Sequence, residues 1–437
     1  MSSPNQRSRP QRPAAGNSRR RDRVILSLVG VLSLVAAALA WSRQQRLTED
    51  ALPRRAATVI ANSALVAAPK SIIPQAISPA DLAQATTRAD GALVLHQQQA
   101  DLPLTIRPAL QQDIQALLDK TKVPYGAIVL VDPQTGAILA MAEHREAGDI
   151  VGKIGDLMRP DTAAASVFKV VSAAALLNAG QTPETQACFH GGKHGIDASH
   201  VRASAADHQC QTLTEALAHS TNAAFARLAL DHLQPGELAN MATRLGFGAS
   251  LGGDLRSVAS QFAEGQTPLD RARAAPGFAG SSLSPLHAAM LAAAVANDGK
   301  VMRPMVFASD AEGHPRAPQV LGQAITPDQA KQLRMMMEQT VVAGTGRHAF
   351  GTKPRALRGI SVGGKTGSLS GQDPNVYRHY SWFVGFAPVD HPKVAIAALA
   401  INGLQWRVKG AQLARDGLSA YFAPNKQPGL DAADAGQ

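Results

Sequence analysis

The chain has 437 residues, enough for two or three domains or one large domain with appendages, and its 45% apolar content suffices for a substantial core. Aromatic residues make up only 4%, so small aliphatic side chains are expected to fill that core. The formal charge of +10 is uneven, with seven Arg and one Asp in residues 1–23, and no basic patch interleaved with aromatics follows, so nucleic acid is excluded as an expected partner.

Residues 1–23 are rich in Ser, Pro, Arg and Gln and read as a disordered basic cytoplasmic tail. Val24 to Trp41 is an uncharged run of 18 residues, close to the length a helix needs to cross a bilayer. With Arg before it, the run predicts a transmembrane helix over 24–41 with the N-terminus inside. Ala38-Leu39-Ala40 also fits a cleavage site, so a removed signal peptide stays open. Either way the remainder is exported, which places it in the periplasm or another extracytoplasmic space, anchored at the inner membrane if the helix is retained. Residues 42–103 are rich in Ala, Gln and Pro and read as a linker with at most one short element.

The globular part is expected over 104–425, with a disordered tail at 426–437. Arg107 to Leu118 has helical spacing. Gly126–Val131 and Ala137–Ala142 are apolar runs around the turn-rich Asp132-Pro-Gln-Thr-Gly136, which predicts a β-hairpin. A long helical stretch is expected from about 165 to 300, and strands at Ile360–Gly364, Tyr380–Ala387 and Val394–Ile401. Strands at both ends with helices between imply an α+β fold: one antiparallel sheet with a helical insertion. Cys188 and Cys210 lie in that insertion. In an exported chain they are candidates for a disulfide, with free thiols, or metal binding with nearby His residues, as the other readings.

Three short patterns carry chemistry. Ala165 to Ala179 is apolar on every face, so it predicts a buried helix, with Ser166 in its first turn where free N–H groups favour negative charge. Lys169 follows at i+3 on the same face, where a desolvated amine can act as general base toward the Ser166 hydroxyl. Ser220-Thr221-Asn222 falls between two helical patterns, the first opened by the capping box Thr212–Glu215. A second hydroxyl there can relay protons, and the Asn222 amide can bind a peptide backbone. Lys365-Thr366-Gly367-Ser368 lies in a strand-like stretch. Lys365 and Thr366 can bind a carboxylate, Gly367 permits close approach, and the Ser368 N–H can join that of Ser166 as an oxyanion hole. Each pattern alone is common.

In this order and with these gaps, Ser-x-x-Lys, Ser-x-Asn and Lys-Thr-Gly resemble the penicillin-binding transpeptidases and serine β-lactamases. Tyr125 to Met141, Ser284 to Gly299, Gly344-Thr-Gly346 and Trp382 to Pro388 resemble the same family, so the likeness covers 104–425. It implies an antiparallel sheet flanked by helices with an all-helical subdomain and no cofactor. It implies a D,D-transpeptidase that forms an acyl-enzyme on Ser166 from D-Ala-D-Ala stem peptides of peptidoglycan and is acylated by β-lactams, with other cell-wall synthesis proteins as partners. A D,D-carboxypeptidase or endopeptidase would share every motif. A β-lactamase would need a deacylating Glu-x-x-Leu-Asn, which is absent, and a β-lactam sensor would need more than a 23-residue tail. Two departures stand out: Ala164-Ala165 replaces the family's usual Pro-Gly, and the linker is too short for a large pedestal domain.

Overall fold

The computed structural model describes residues 76–97, 100–146, 156–193, 195–373 and 376–424. The expected tail at 1–23, the helix at 24–41, the linker up to 75 and the tail from 426 lie outside them. Among the described residues no helix is long and apolar enough to cross a membrane.

Residues 76–103, read as linker, carry more structure than one element. After a helical turn at Pro79–Leu82 come β1 (Thr86–Thr87), β2 (Leu93–Gln97) and β3 (Ala100–Pro103), which form a small antiparallel sheet. Ile77 is fully buried in the main core and donates its N–H to the Asp254 carbonyl, so the folded body begins well before Leu104.

Helix α1 (Pro108–Thr121) has Pro at its start and ends where Lys122 turns left-handed. Strands β4 (Tyr125–Val131) and β5 (Ile138–Arg145) follow as the expected hairpin, whose turn is held by Asp132 Oδ1 accepting from the N–H groups of Gln134 and Thr135. A 3-10 turn at Ala165–Phe168 runs into α2 (Lys169–Asn178), buried along all but its last residue.

The insertion is not all helical. Strands β6 (Gln186–Phe189) and β7 (Gln209–Thr212) form a two-stranded ribbon inside it. Then come α3 (Leu213–His219), α4 (Asn222–His232), α5 (Glu237–Arg244), α6 (Pro268–Ala274) and α7 (Pro285–Ala296), which is buried throughout. A second ribbon, β8 (Lys300–Met302) with β9 (Val320–Gln323), leads to α8 (Pro327–Val342). The last strands are β10 (Gly363–Asp373), β11 (Val376–Ala387) and β12 (Val394–Asn402), closed by α9 (Gly410–Tyr421).

The main sheet has the order β10-β11-β12-β4-β5 and every pairing is antiparallel. Strand β12 alternates its side chains between two cores. Ala395, Ala397, Leu399 and Ile401 join the larger core with α2, α4 and α7, while Ile396, Ala398 and Ala400 join α1 and α9 behind the sheet. The sheet is therefore covered on both faces, and β10 is the edge nearest the helical insertion.

Candidate active site

The turn that carries Ser166 is held by close backbone approaches. Ala165 adopts φ 46°, the left-handed region that L-residues avoid, directly ahead of Ser166. Gly277 stands against it, where a Cβ would come within 2.0 Å of the Ala165 carbonyl oxygen. Gly367 of β10 lies on the other side, where a Cβ would meet Val167 Cγ2 at 3.1 Å. The approach that Gly367 permits is thus first that of the turn carrying Ser166.

Lys169 is fully buried one turn after Ser166. Its Nζ lies 2.8 Å from Ser166 Oγ, 2.7 Å from Asn222 Oδ1 and 3.0 Å from the Pro276 carbonyl oxygen. Burial, and then the charge of Lys365, hold its amine well below the ordinary lysine range. A neutral amine has two N–H groups and one lone pair. The Asn222 and Pro276 oxygens take the two donors, which leaves the lone pair for the Ser166 hydroxyl proton.

Ser220 caps α3 with φ 59°, so the junction turns sharply and α4 starts at Asn222. The capping box forms, with Glu215 N–H donating to Thr212 Oγ1 at 3.1 Å and Thr212 N–H to Glu215 Oε2 at 2.8 Å. Lys365, also fully buried, donates from Nζ to Ser220 Oγ at 2.9 Å and to the Thr366 carbonyl at 2.8 Å. Burial lowers its pKa to about 7. The three motifs therefore converge as two Lys–Ser pairs, Lys169–Ser166 and Lys365–Ser220, with Asn222 bound to the first. Ser166, Ser220, Thr366 and Ser368 line one open cleft of about 740 Å³.

Two neighbours were not foreseen as site residues. Thr345 lies 2.6 Å, Oγ1 to Oγ1, from Thr366 and donates its N–H to the Ala218 carbonyl at 3.0 Å. Gly344 makes that contact fit, since a Cβ there would meet the Ala218 oxygen at 2.1 Å, and the Gly-Thr-Gly triplet was the available signal. Lys193 reaches the cleft from the loop after β6, and Asn222 Nδ2 donates to its carbonyl at 3.3 Å. Cys188 and Cys210 face each other across β6 and β7, bonded sulfur to sulfur. A candidate cation cluster of Asp310, Glu312 and His314 lies away from the cleft in a turn where Asp310 accepts N–H bonds from the other two.

Residues 126–414 match the family model of the penicillin binding protein transpeptidase domain. Among curated relatives, the peptidoglycan D,D-transpeptidase PbpA of Mycolicibacterium smegmatis is 30% identical over 340 residues, 68% of this chain and 67% of that one. Stage V sporulation protein D of Bacillus subtilis is 26% identical over 69% of this chain, but the match spans only 50% of the relative. Among solved structures, the D,D-transpeptidase domain of a peptidoglycan glycosyltransferase from Eggerthella lenta superposes with a TM-score of 0.59 at 25% identity, covering 77% of this chain and 94% of that one. Penicillin-binding protein A from M. tuberculosis, solved as an imipenem acyl-enzyme complex, shares the fold with a TM-score of 0.61 at 23% identity, covering 74% and 79%.

Proposed function

The chain belongs to the penicillin-binding protein transpeptidase family, and we propose that it is a peptidoglycan D,D-transpeptidase with Ser166 as its nucleophile. The observation that carries this reading is the Lys169 amine, buried and within 2.8 Å of Ser166 Oγ while two other oxygens fix its remaining N–H groups.

In the proposed reaction Ser166 Oγ attacks the carbonyl between the two terminal D-Ala residues, and its proton passes to Lys169. The backbone N–H groups of Ser166 and Ser368 face the oxygen where negative charge develops. Ser220, held by Lys365, relays a proton to the departing D-Ala amine. Thr366, Thr345 and Lys365 receive the terminal carboxylate. The acyl group then passes to an amine of a neighbouring stem peptide, which forms the cross-link. β-Lactams would acylate the same serine. The uncharged run at 24–41 supports an inner-membrane anchor with the catalytic domain in the periplasm, beside other cell-wall synthesis proteins.

Mass spectrometry after fluorescent penicillin treatment tests the nucleophile. The adduct should sit on the Ser166 peptide and vanish in Ser166→Ala, whose thermal melt should stay close to wild type. An adduct elsewhere would overturn the assignment. Supplying a D-Ala-D-Ala donor with an amine acceptor then separates transfer from hydrolysis, because a carboxypeptidase would release trimmed donor with no cross-linked product.

A further inference from the structure

The face that floors the cleft continues beyond the residues that the proposed reaction uses. Ser368 and Ser381 pair across β10 and β11, and both line the cleft. Side chains two and four positions further along each strand stay on that face. It therefore carries Ser370 and Gln372 outward on β10, paired with His379 and Tyr377 on β11.

Tyr377, His379 and Trp406 make an aromatic shelf there. The His379 ring is stacked on Trp406 with centres 4.7 Å apart, and Tyr377 meets His379 at 84° with centres 5.2 Å apart. Ser370 Oγ lies 2.7 Å from His379 Nδ1 and holds the middle ring. The loop carrying Trp406 is pinned by the fully buried Asn402. Its Oδ1 accepts from the Arg407 and Val408 N–H groups at 2.8 and 3.2 Å, and its Nδ2 donates to the Val408 carbonyl at 3.0 Å. Lys409 lines the cleft and stands with Nζ 5.7 Å from the centre of the Trp406 ring, so shelf and cleft adjoin. Tyr377 and Trp406 are 44% and 42% exposed, whereas every other Tyr and Trp among the described residues, namely Tyr125, Tyr380, Trp382 and Tyr421, is buried. Rings with a polar tip are left in water at this one place, on rigid backbone beside the cleft, as a binding surface requires.

The direction of a bound donor follows from the proposed chemistry. With the terminal carboxylate at Thr366 and the scissile carbonyl at the Ser368 N–H, the rest of the stem peptide runs past Ser370 toward the β10–β11 turn. Ser368 to Gln372 spans about 14 Å, the reach of the few residues that separate D-Ala-D-Ala from the amino sugar of a glycan strand. Sugar C–H bonds carry partial positive charge and pack on the negative faces of aromatic rings, while Tyr O–H and Trp N–H groups can bond hydroxyl and acetamido oxygens. We propose that Tyr377, His379 and Trp406 bind the sugar to which the donor stem is attached, so that the enzyme prefers stems carried on glycan over the free peptide. This rests on the transpeptidase reading and names the form in which its substrate is carried.

The test uses the full chain in detergent and two ligands ending in D-Ala-D-Ala, a free stem peptide and the same peptide joined to its amino-sugar disaccharide. Each competes against fluorescent-penicillin labelling of Ser166. The disaccharide-linked peptide should compete about tenfold better, and the advantage should hold as salt is added, because the contact is between neutral groups. Tyr377→Ala/Trp406→Ala should lose the advantage at an unchanged melting temperature, with the free peptide competing as before, and Tyr377→Phe/Trp406→Phe should keep most of it. Equal competition by the two ligands, which a shelf serving a membrane surface or another protein would give, overturns the inference. An advantage that survives the Ala double variant, or one that salt removes, overturns it too. Absence of labelling at Ser166 would instead overturn the transpeptidase reading beneath it.

Discussion

Lys169 and Lys365 are both buried lysines, yet their partners differ. Lys169 has three oxygens around it, one of them the Ser166 hydroxyl, while Lys365 bonds Ser220 and the Thr366 carbonyl. Lys365 also acts through space, because its charge adds to burial in lowering the Lys169 pKa. Lys365→Met removes that charge, so the Lys169 pKa should rise. The acid limb of penicillin acylation, where Lys169 must lose its proton before it can accept one, should then move to higher pH. Stopped-flow acylation across a pH series reads this, and an unmoved limb would show that the two lysines do not couple. At this scale the three motif serines and lysines were legible, because each stands at a short fixed spacing. Thr345 and Lys193 were not, since loops far away in sequence deliver them. The Ala164-Ala165 departure has a physical reading: Ala165 takes a left-handed conformation that glycine reaches without strain, so this turn keeps its shape at a steric cost.

The ribbon of β6 and β7 carries the loop that presents Lys193, and the Cys188–Cys210 bond ties its strands. A bridge between positions 22 apart contributes about 3 kcal/mol on the chain-entropy account. Cys188→Ser/Cys210→Ser should therefore lower the unfolding free energy read from a denaturant titration by that order, with an earlier midpoint. It should also slow acylation, because the Lys193 carbonyl that fixes the Asn222 amide loosens. An unchanged midpoint would mean that the bridge constrains nothing. Elements with strong local signals were readable: the hairpin of β4 and β5 from two apolar runs around a turn, and α3 from its capping box. The ribbon was hidden inside a stretch read as helical, since its pairing is set by contacts across the loop. Strand β10 was placed at 360–364, with Lys365–Ser368 read as strand-like, and runs Gly363–Asp373. Its residues have little strand preference of their own, and Gly363 and Gly364 are there because a Cβ would strike the rings of Phe386 and Phe383 on β11. Only the partner strand makes that segment a strand.

For the whole molecule, a buried lysine pair links the fold to pH. Lys365 titrates at about 7 when folded, against an ordinary value of 10.5. Between those values the unfolded chain holds a proton that the folded chain does not, so stability rises with pH. That contribution is complete above the unfolded value and is lost as pH falls toward 7. Lys169 acts with the same sign. Melting temperatures should therefore climb from neutral to mildly alkaline pH more steeply in wild type than in Lys365→Met, and parallel curves would refute the linkage. The two cores were foreseen only as one sheet with a helical insertion; the alternation along β12 that divides them is a property of the paired sheet. Strand β10 closes the sheet order on the cleft side, with β11 as its one neighbour in that sheet. An outermost strand leaves half of its main-chain donors and acceptors unpaired, an invitation that soluble proteins elsewhere suppress to avoid joining their own kind. Here the cleft that holds Ser166 opens beside that row, at Thr366 and Ser368. An incoming peptide can lie down as a temporary sixth strand and be read every second residue. A shift of one position would turn each of its side chains to the opposite face, so where the guest is cut is decided by how it is aligned.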